Sequence, residues 1–132
     1  MHTGWQRALA RTGLVLLAGA FIVGGVLHFR VPGFYERIVP AYLPAHTLLV
    51  QISGVCEILG GLGVLVAGLR RWAGIGLIAL LVAVFPANIE MAVHSERYAD
   101  LGAAWIFYAR LPLQGVLIYL VWLLCLRLRW SA

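Results

Sequence analysis

At 132 residues the chain has one domain's length, and 63% of it is apolar against 11% charged, where soluble globular domains average roughly 45–50% and 25%. A soluble fold of this size leaves about a third of its unfolded surface wet, so a soluble enzyme, a disordered chain and a disulfide scaffold are excluded together. The net charge is +5, all of the ten basic residues being arginine. They stand singly or in pairs between apolar runs, never as a stripe or block, which marks membrane edges and argues against nucleic acid as a partner.

The first apolar stretch covers about residues 12–28. Arg7 and Arg11 before it and Ala18-Gly19-Ala20 within it resemble a secretory leader, but the apolar run continues to Leu27, so a spanning helix is expected. Residues 29–46 follow, with Pro32, Pro40 and Pro44 among Phe34, Tyr35 and Tyr42. Proline at that density precludes a continuous helix, and the aromatics suit the headgroup zone. A re-entrant or interfacial lid is expected, with Phe29, Tyr35 and Tyr42 as its aromatic members.

A second apolar stretch runs over about 47–69 and a third over about 72–94, joined at Arg70-Arg71. So short a connection makes them an antiparallel hairpin. The fourth begins somewhere between Ala103 and Arg110, after an aromatic approach carrying Trp105 and Phe107, and ends near Leu126. Each is near the roughly 20 residues needed to cross about 30 Å of hydrocarbon. The expectation is one all-α membrane domain over residues 1–132, a bundle of four transmembrane helices at about 12–28, 47–69, 72–94 and 103–126. Small residues at helical spacing (Ala20 and Gly24 with His28, Gly54 and Gly61 with Glu57) favour close helix approach. No internal repeat supports an inverted-repeat transporter.

Arg7, Arg11, Arg70, Arg71, Arg127 and Arg129 lie at loops free of acid, whereas Arg30, Glu36, Arg37, Glu96, Arg97 and Asp100 are nearly balanced. The positive-inside rule then puts both termini in the cytoplasm and the longer loops outside, in the cell's inner or plasma membrane.

Polar groups within apolar spans are costly and usually face a bundle interior. At about 1.5 Å rise per residue, Glu57 and Gln114 stand roughly 20 Å above the cytoplasmic edge, His28 and Arg110 roughly 25 Å, and Glu90 roughly 28 Å. Across the hairpin, Ser53 is expected level with Asn88, Gln51 with Glu90, and Thr47 with His94. All four helices thus bring polar groups to one slab in the outer half of the membrane. The candidate binding residues are His28, Gln51, Ser53, Glu57, Asn88, Glu90, His94, Arg110 and Gln114. Arg110 is expected to hold one of Glu57 and Glu90 bidentately, with Glu57 the more deeply buried carboxylate. Asn88 points away from Glu90 in an ideal helix, unless Pro86 kinks or rotates the segment.

Interhelical polar groups also serve as glue, at roughly 0.6–2 kcal/mol each, so structural pairing stays open beside a binding pocket. No metal site is expected, since no HxxxH or HExxH spacing occurs. Cys56 at roughly 21 Å and Cys125 at about 3 Å above the edge are too far apart to bridge.

The string Gly24-Gly25-Val26-Leu27-His28-Phe29, with Pro32, Tyr35, Ile38-Val39-Pro40 and Tyr42-Leu43-Pro44, resembles the opening of DoxX-family membrane proteins. The stretches from Ser53 to Gly61, from Phe85 to Met91 and from Arg110 to Gln114 extend the likeness over residues 24–114. The resemblance implies a small four-helix protein. Founding members look like membrane subunits of a thiosulfate:quinone oxidoreductase, others associate with oxidant defence or methylamine utilisation, and distant relatives act as receptor chaperones or cargo receptors.

Two functions follow as expectations. In one, the outer pocket binds a quinone or similar small molecule, Glu57 and His28 handling protons, Arg110 and Gln114 orienting carbonyl oxygens. No flavin, haem or iron–sulfur motif is present, so electrons come from a redox partner, and whether this chain is itself an enzyme stays open. In the other, the chain is a non-enzymatic assembly subunit or small-solute carrier, its polar cluster structural. A membrane-protein partner or a homo-oligomer is compatible with both.

Overall fold

The computed structural model describes residues 4–128. It is an all-α four-helix bundle; Arg129 lies outside the described residues. Helix α1 spans Gly4–Arg30, the short α2 Pro32–Ile38, α3 His46–Leu65 and α4 Arg70–Val93. A 3-10 turn, Ser95–Tyr98, leads to α5, Ala104–Val121, which runs on as a π-helical turn over Trp122–Arg127. The spanning helices of 27, 20, 24 and 24 residues are each long and apolar enough to cross a membrane. Trp5 and Trp72 stand exposed at the arginine-rich end and Tyr42, Trp105 and Tyr108 at the other, the placement of aromatic girdles at two interfaces. Leu16, Val23, Leu59 and Val82 lie exposed between those ends. The bundle is built for lipid.

Prolines set the connection between α1 and α3. Pro32 occupies the first turn of α2, where its missing N–H costs nothing. Pro40 holds Val39 extended (φ −69°, ψ 126°) and ends that helix. Ala45 then takes a left-handed φ of 54° before α3 begins. The region is therefore a surface helix followed by a turn, in which the Leu43 N–H donates to the Pro40 carbonyl at 3.0 Å.

The hairpin turn lies at residues 66–69 rather than at Arg70-Arg71, which open α4. Gly60, Gly61 and Gly63 crowd the last turns of α3, and Val66 turns extended. Arg70 Nε donates to the Val64 carbonyl at 2.8 Å, satisfying an open helix end. The earlier turn shifts the register: Gly60 faces Leu77 and Gly63 faces Ala73. Ser53 therefore stands near the level of Val84, about one helical turn from Asn88.

Helices α1 and α3 make the closest antiparallel contact. A Cβ on Gly25 would lie 2.6 Å from the Gly54 carbonyl oxygen, and one on Gly61 2.9 Å from that of Ala18. Helices α4 and α5 form a second pair, with Gly74 against Cys125. The pairs close over one core at the arginine-rich end, built on Leu14, Leu17, Phe21, Val64, Leu77, Val121 and Leu124. At the opposite end a second core of Ile38, Met91, Tyr98 and Phe107 docks α2 on α4 and α5. Between these two cores the bundle is open.

Candidate functional site

That opening is a cavity of about 330 Å³ lined by His28, Tyr35, Ser53, Glu57, Asn88 and Arg110. Its polar walls come from α1, α2, α3, α4 and α5, and Ile38, Val39, Pro40 and Leu43 roof it.

Each polar side chain has a local cause for its position. His28 Nδ1 donates to the Gly24 carbonyl at 2.9 Å. A carbonyl only accepts, so this bond fixes the proton on Nδ1 and leaves Nε2 as an acceptor in the neutral ring. The imidazole stacks on Tyr35 with ring centroids 3.8 Å apart and an interplanar angle of 22°. Glu57 lies across the α1–α3 seam with Oε2 3.8 Å from His28 Nδ1. Its carboxylate occupies space that a side chain on Gly24 would take, since a Cβ there would sit 2.7 Å from Oε2.

Asn88 Nδ2 donates to Gln114 Oε1 at 2.5 Å, and Gln114 Nε2 donates to the Leu81 carbonyl. Gln114 is buried, so it acts from behind Asn88, tying α5 to α4. Burial first, and then the charge of Glu57, push the Tyr35 phenol up from its ordinary value, while Arg110 pulls it back. Tyr35 thus lies within the fields of both ions and stays a neutral donor.

Arg110 corrects an expectation. It faces the cavity, yet among the described residues no carboxylate lies within 4 Å of it. Glu90 is instead 3.1 Å from His94 and 3.6 Å from Arg97, an ionic group at the end of α4 separate from the cavity. Glu57 and Glu90 are about equally sheltered, with side chains 18% and 20% exposed. Gln51 is exposed on α3. Phe29 packs its ring against Gly54, and Tyr42 is 72% exposed; of the three aromatics, Tyr35 alone lines the cavity. Cys56 is exposed, Cys125 buried, and both are free. Among the described residues no group of three or more His, Cys, Asp or Glu is placed to share a metal ion.

Three contributions were not expected from sequence. Gly24 gives Glu57 its seat. The roof is apolar. An exposed tie holds α2 in place: Arg37 donates from Nη1 and Nη2 to Asp100 at 2.9 and 3.1 Å, and the Tyr98 hydroxyl donates to the Arg37 carbonyl at 3.4 Å. The Arg37 hydrogen bond holds the Asp100 carboxyl below the usual range. The arrangement offers a guanidinium fork, a carboxylate, an imidazole acceptor and a side-chain amide to one small polar group in an apolar surround.

Comparison with curated proteins and with solved structures returned no match. A family model described as a domain of unknown function (DUF8561) matches residues 17–125, which take in the second and third spanning helices whole, the first from Leu17, the fourth as far as Cys125, and every polar residue of the cavity. The chain belongs to that family.

Proposed function

We propose that this integral membrane protein binds a quinone or similar small polar-headed molecule in the outer half of its bundle. Both termini face the cytoplasm, and a partner protein supplies or takes electrons. The observation that supports this reading is the pair Glu57 and Arg110. Both line the same cavity, and neither is ion-paired with the other. Arg110 and Asn88 donate to the head's oxygens, His28 Nε2 and Glu57 accept from the hydroxyls of its reduced form, and Tyr35 stacks over the site. The same residues carry the resemblance to the DoxX family, and we place the chain near those proteins in function on that ground.

The test is mass spectrometry of small molecules extracted from protein purified in mild detergent, beside Glu57→Gln/Arg110→Leu protein. A quinone or other defined compound present in the wild type and absent from the folded variant supports the reading. Bulk lipid alone in both sinks it. One observation favours a second reading, an accessory subunit with a structural polar cluster: the Asn88–Gln114–Leu81 chain does join two helices. Crosslinking in native membranes that recovers only homo-oligomers counts against it. The orientation is checked with a tag fused after Ala132, which lies outside the described residues; protease access from the outside alone reverses it.

A further inference from the structure

The two helix pairs leave one side of the cavity without a wall. Glycine contacts bind α3 to α1 along much of their length, while Gln114 and Gly74 bind α4 to α5. Helices α3 and α4 approach closely at their inner ends, through Gly60–Leu77 and Gly63–Ala73. Farther out they flank the cavity, and Ile52, Ala83 and Pro86 are both cavity-lining and exposed. These three are apolar and belong to segments apolar enough to span a membrane, so the mouth they form meets lipid. The water-facing end is covered by α2, held by its core around Ile38 and Met91 and by the Arg37–Asp100 tie. At about 330 Å³ the cavity is near the lower limit for small-ligand sites, roughly 300 Å³. It has room for a head group and not for a long tail as well.

We infer that the ligand reaches the cavity from the bilayer, through the cleft between α3 and α4. It is an amphiphile whose oxygen-bearing head lies among Glu57, His28, Ser53 and Arg110 while its apolar tail passes Ile52 and Ala83 into lipid. The inference rests on the binding reading above and adds the route and the tail. A quinone and a fatty-acyl lipid share this chemistry.

The full chain in phosphatidylcholine nanodiscs is loaded separately with a long-tailed ubiquinone, with oleate, and with the quinone head lacking its tail. Native mass spectrometry reads the fraction of protein carrying each added mass. Ile52→Trp/Ala83→Trp is expected to lower occupancy by the tailed probe about tenfold, the effect of displacing roughly two buried methylenes. The tail-less head is expected to change less than about twofold in the same protein, since its polar contacts are untouched. Leu59→Trp, exposed on the same helix but away from the cavity, leaves all three probes as in wild type. Ile52→Phe narrows the same cleft with less added bulk and is read in the same way should the double variant not fold. Whichever tailed probe the wild type holds better identifies the source of the head. Undiminished occupancy by the tailed probe in folded Ile52→Trp/Ala83→Trp protein overturns lateral access. If Glu57→Gln/Arg110→Leu still empties the cavity in that case, the head site stands without it. Capture of the tail-less head but of neither tailed probe also overturns the inference, and capture of none of the three overturns both.

Discussion

Replacing Gly25 by alanine probes the contact from which the rest of the site is hung. A Cβ at Gly25 would lie 2.6 Å from the Gly54 carbonyl oxygen, 2.7 Å from Ile58 Cγ1 and 3.0 Å from the Ile58 nitrogen. Two of those three atoms are backbone, which no rotamer change can move. To bring the shortest contact to the 3.4 Å at which ordinary packing begins, α1 and α3 must part by about 0.8 Å. Overpacking of that kind costs about 1–3 kcal/mol. Alanine's helix propensity returns about 1 kcal/mol, leaving a net loss of about 0–2 kcal/mol.

The propensity gain is removed by a matched control. Gly19 lies on the same helix with nothing within 4 Å of a built Cβ, so Gly19→Ala gains the propensity and no clash. The difference between the two variants isolates the seam, and about 1–3 kcal/mol is expected. Reversible unfolding in mixed detergent micelles, followed by helical circular dichroism, measures it. A Gly25→Ala protein as stable as Gly19→Ala would refute the claim that backbone contact at this seam positions α3.

Gly24→Ala separates the site from the fold. The atom its Cβ meets is Glu57 Oε2 at 2.7 Å, the end of a flexible side chain, so stability is expected to stay within about 1 kcal/mol of wild type. Ligand occupancy is expected to fall about tenfold as the carboxylate leaves its seat, and unchanged occupancy removes Glu57 from the site. Gln114→Leu strands Asn88 and is expected to cost about 1–3 kcal/mol, with a null result in the same unfolding assay counting against the α4–α5 tie. Asp100→Asn is expected to speed amide exchange in α2, more so at low salt, because the tie is exposed. Asp100's folded pKa is depressed, so its contribution is present above the unfolded value near 3.8 and is lost as pH falls through the lower folded one. Protection of α2 in wild type is therefore expected to be flat from about pH 8 to about pH 5. Equal exchange in wild type and Asp100→Asn would show that the apolar core alone holds the roof.

The four spans were legible because hydrocarbon demands long apolar helices, and the polar exceptions within them were conspicuous for the same reason. What sequence could not fix was register. One reading put the hairpin turn at Arg70-Arg71, the most polar dipeptide in the region. The glycines before it ended α3 sooner, so Ser53 and Asn88 reach the same cavity from different levels. Helical phase sets Asn88 and Glu90 apart, and the two do separate: Asn88 faces the cavity and Glu90 turns to His94 and Arg97. Gly24 reads in sequence as a packing residue, and nothing local says that a carboxylate from another helix fills the place of its missing side chain. The Arg37–Asp100 tie joins residues 63 apart in sequence, a distance at which no periodicity speaks.

The disposition of charge distinguishes binding from glue. An arginine and a glutamate within the membrane cost less in contact with each other than apart. Here they are carried on helices belonging to different pairs, Arg110 on the α4 side and Glu57 on the α1 side. The missing side chain at Gly24 leaves the carboxylate its seat against α1. The hydrogen bonds through Gln114 are what structural polarity looks like in this bundle: a buried amide joining two helices. Arg110 is half-buried, and among the described residues no carboxylate lies within 4 Å of it. If these two charges were glue through other contacts, Glu57→Gln/Arg110→Leu would weaken the bundle by roughly 1–2 kcal/mol for each interaction lost. If the charges are held open for a ligand, removing them relieves a desolvation cost of a few kcal/mol per ion, and the variant is expected to be no less stable than ligand-free wild type while retaining no ligand. Measured on the same preparations, stability falls with no ligand to lose under the first account, and under the second the ligand is lost while stability is kept.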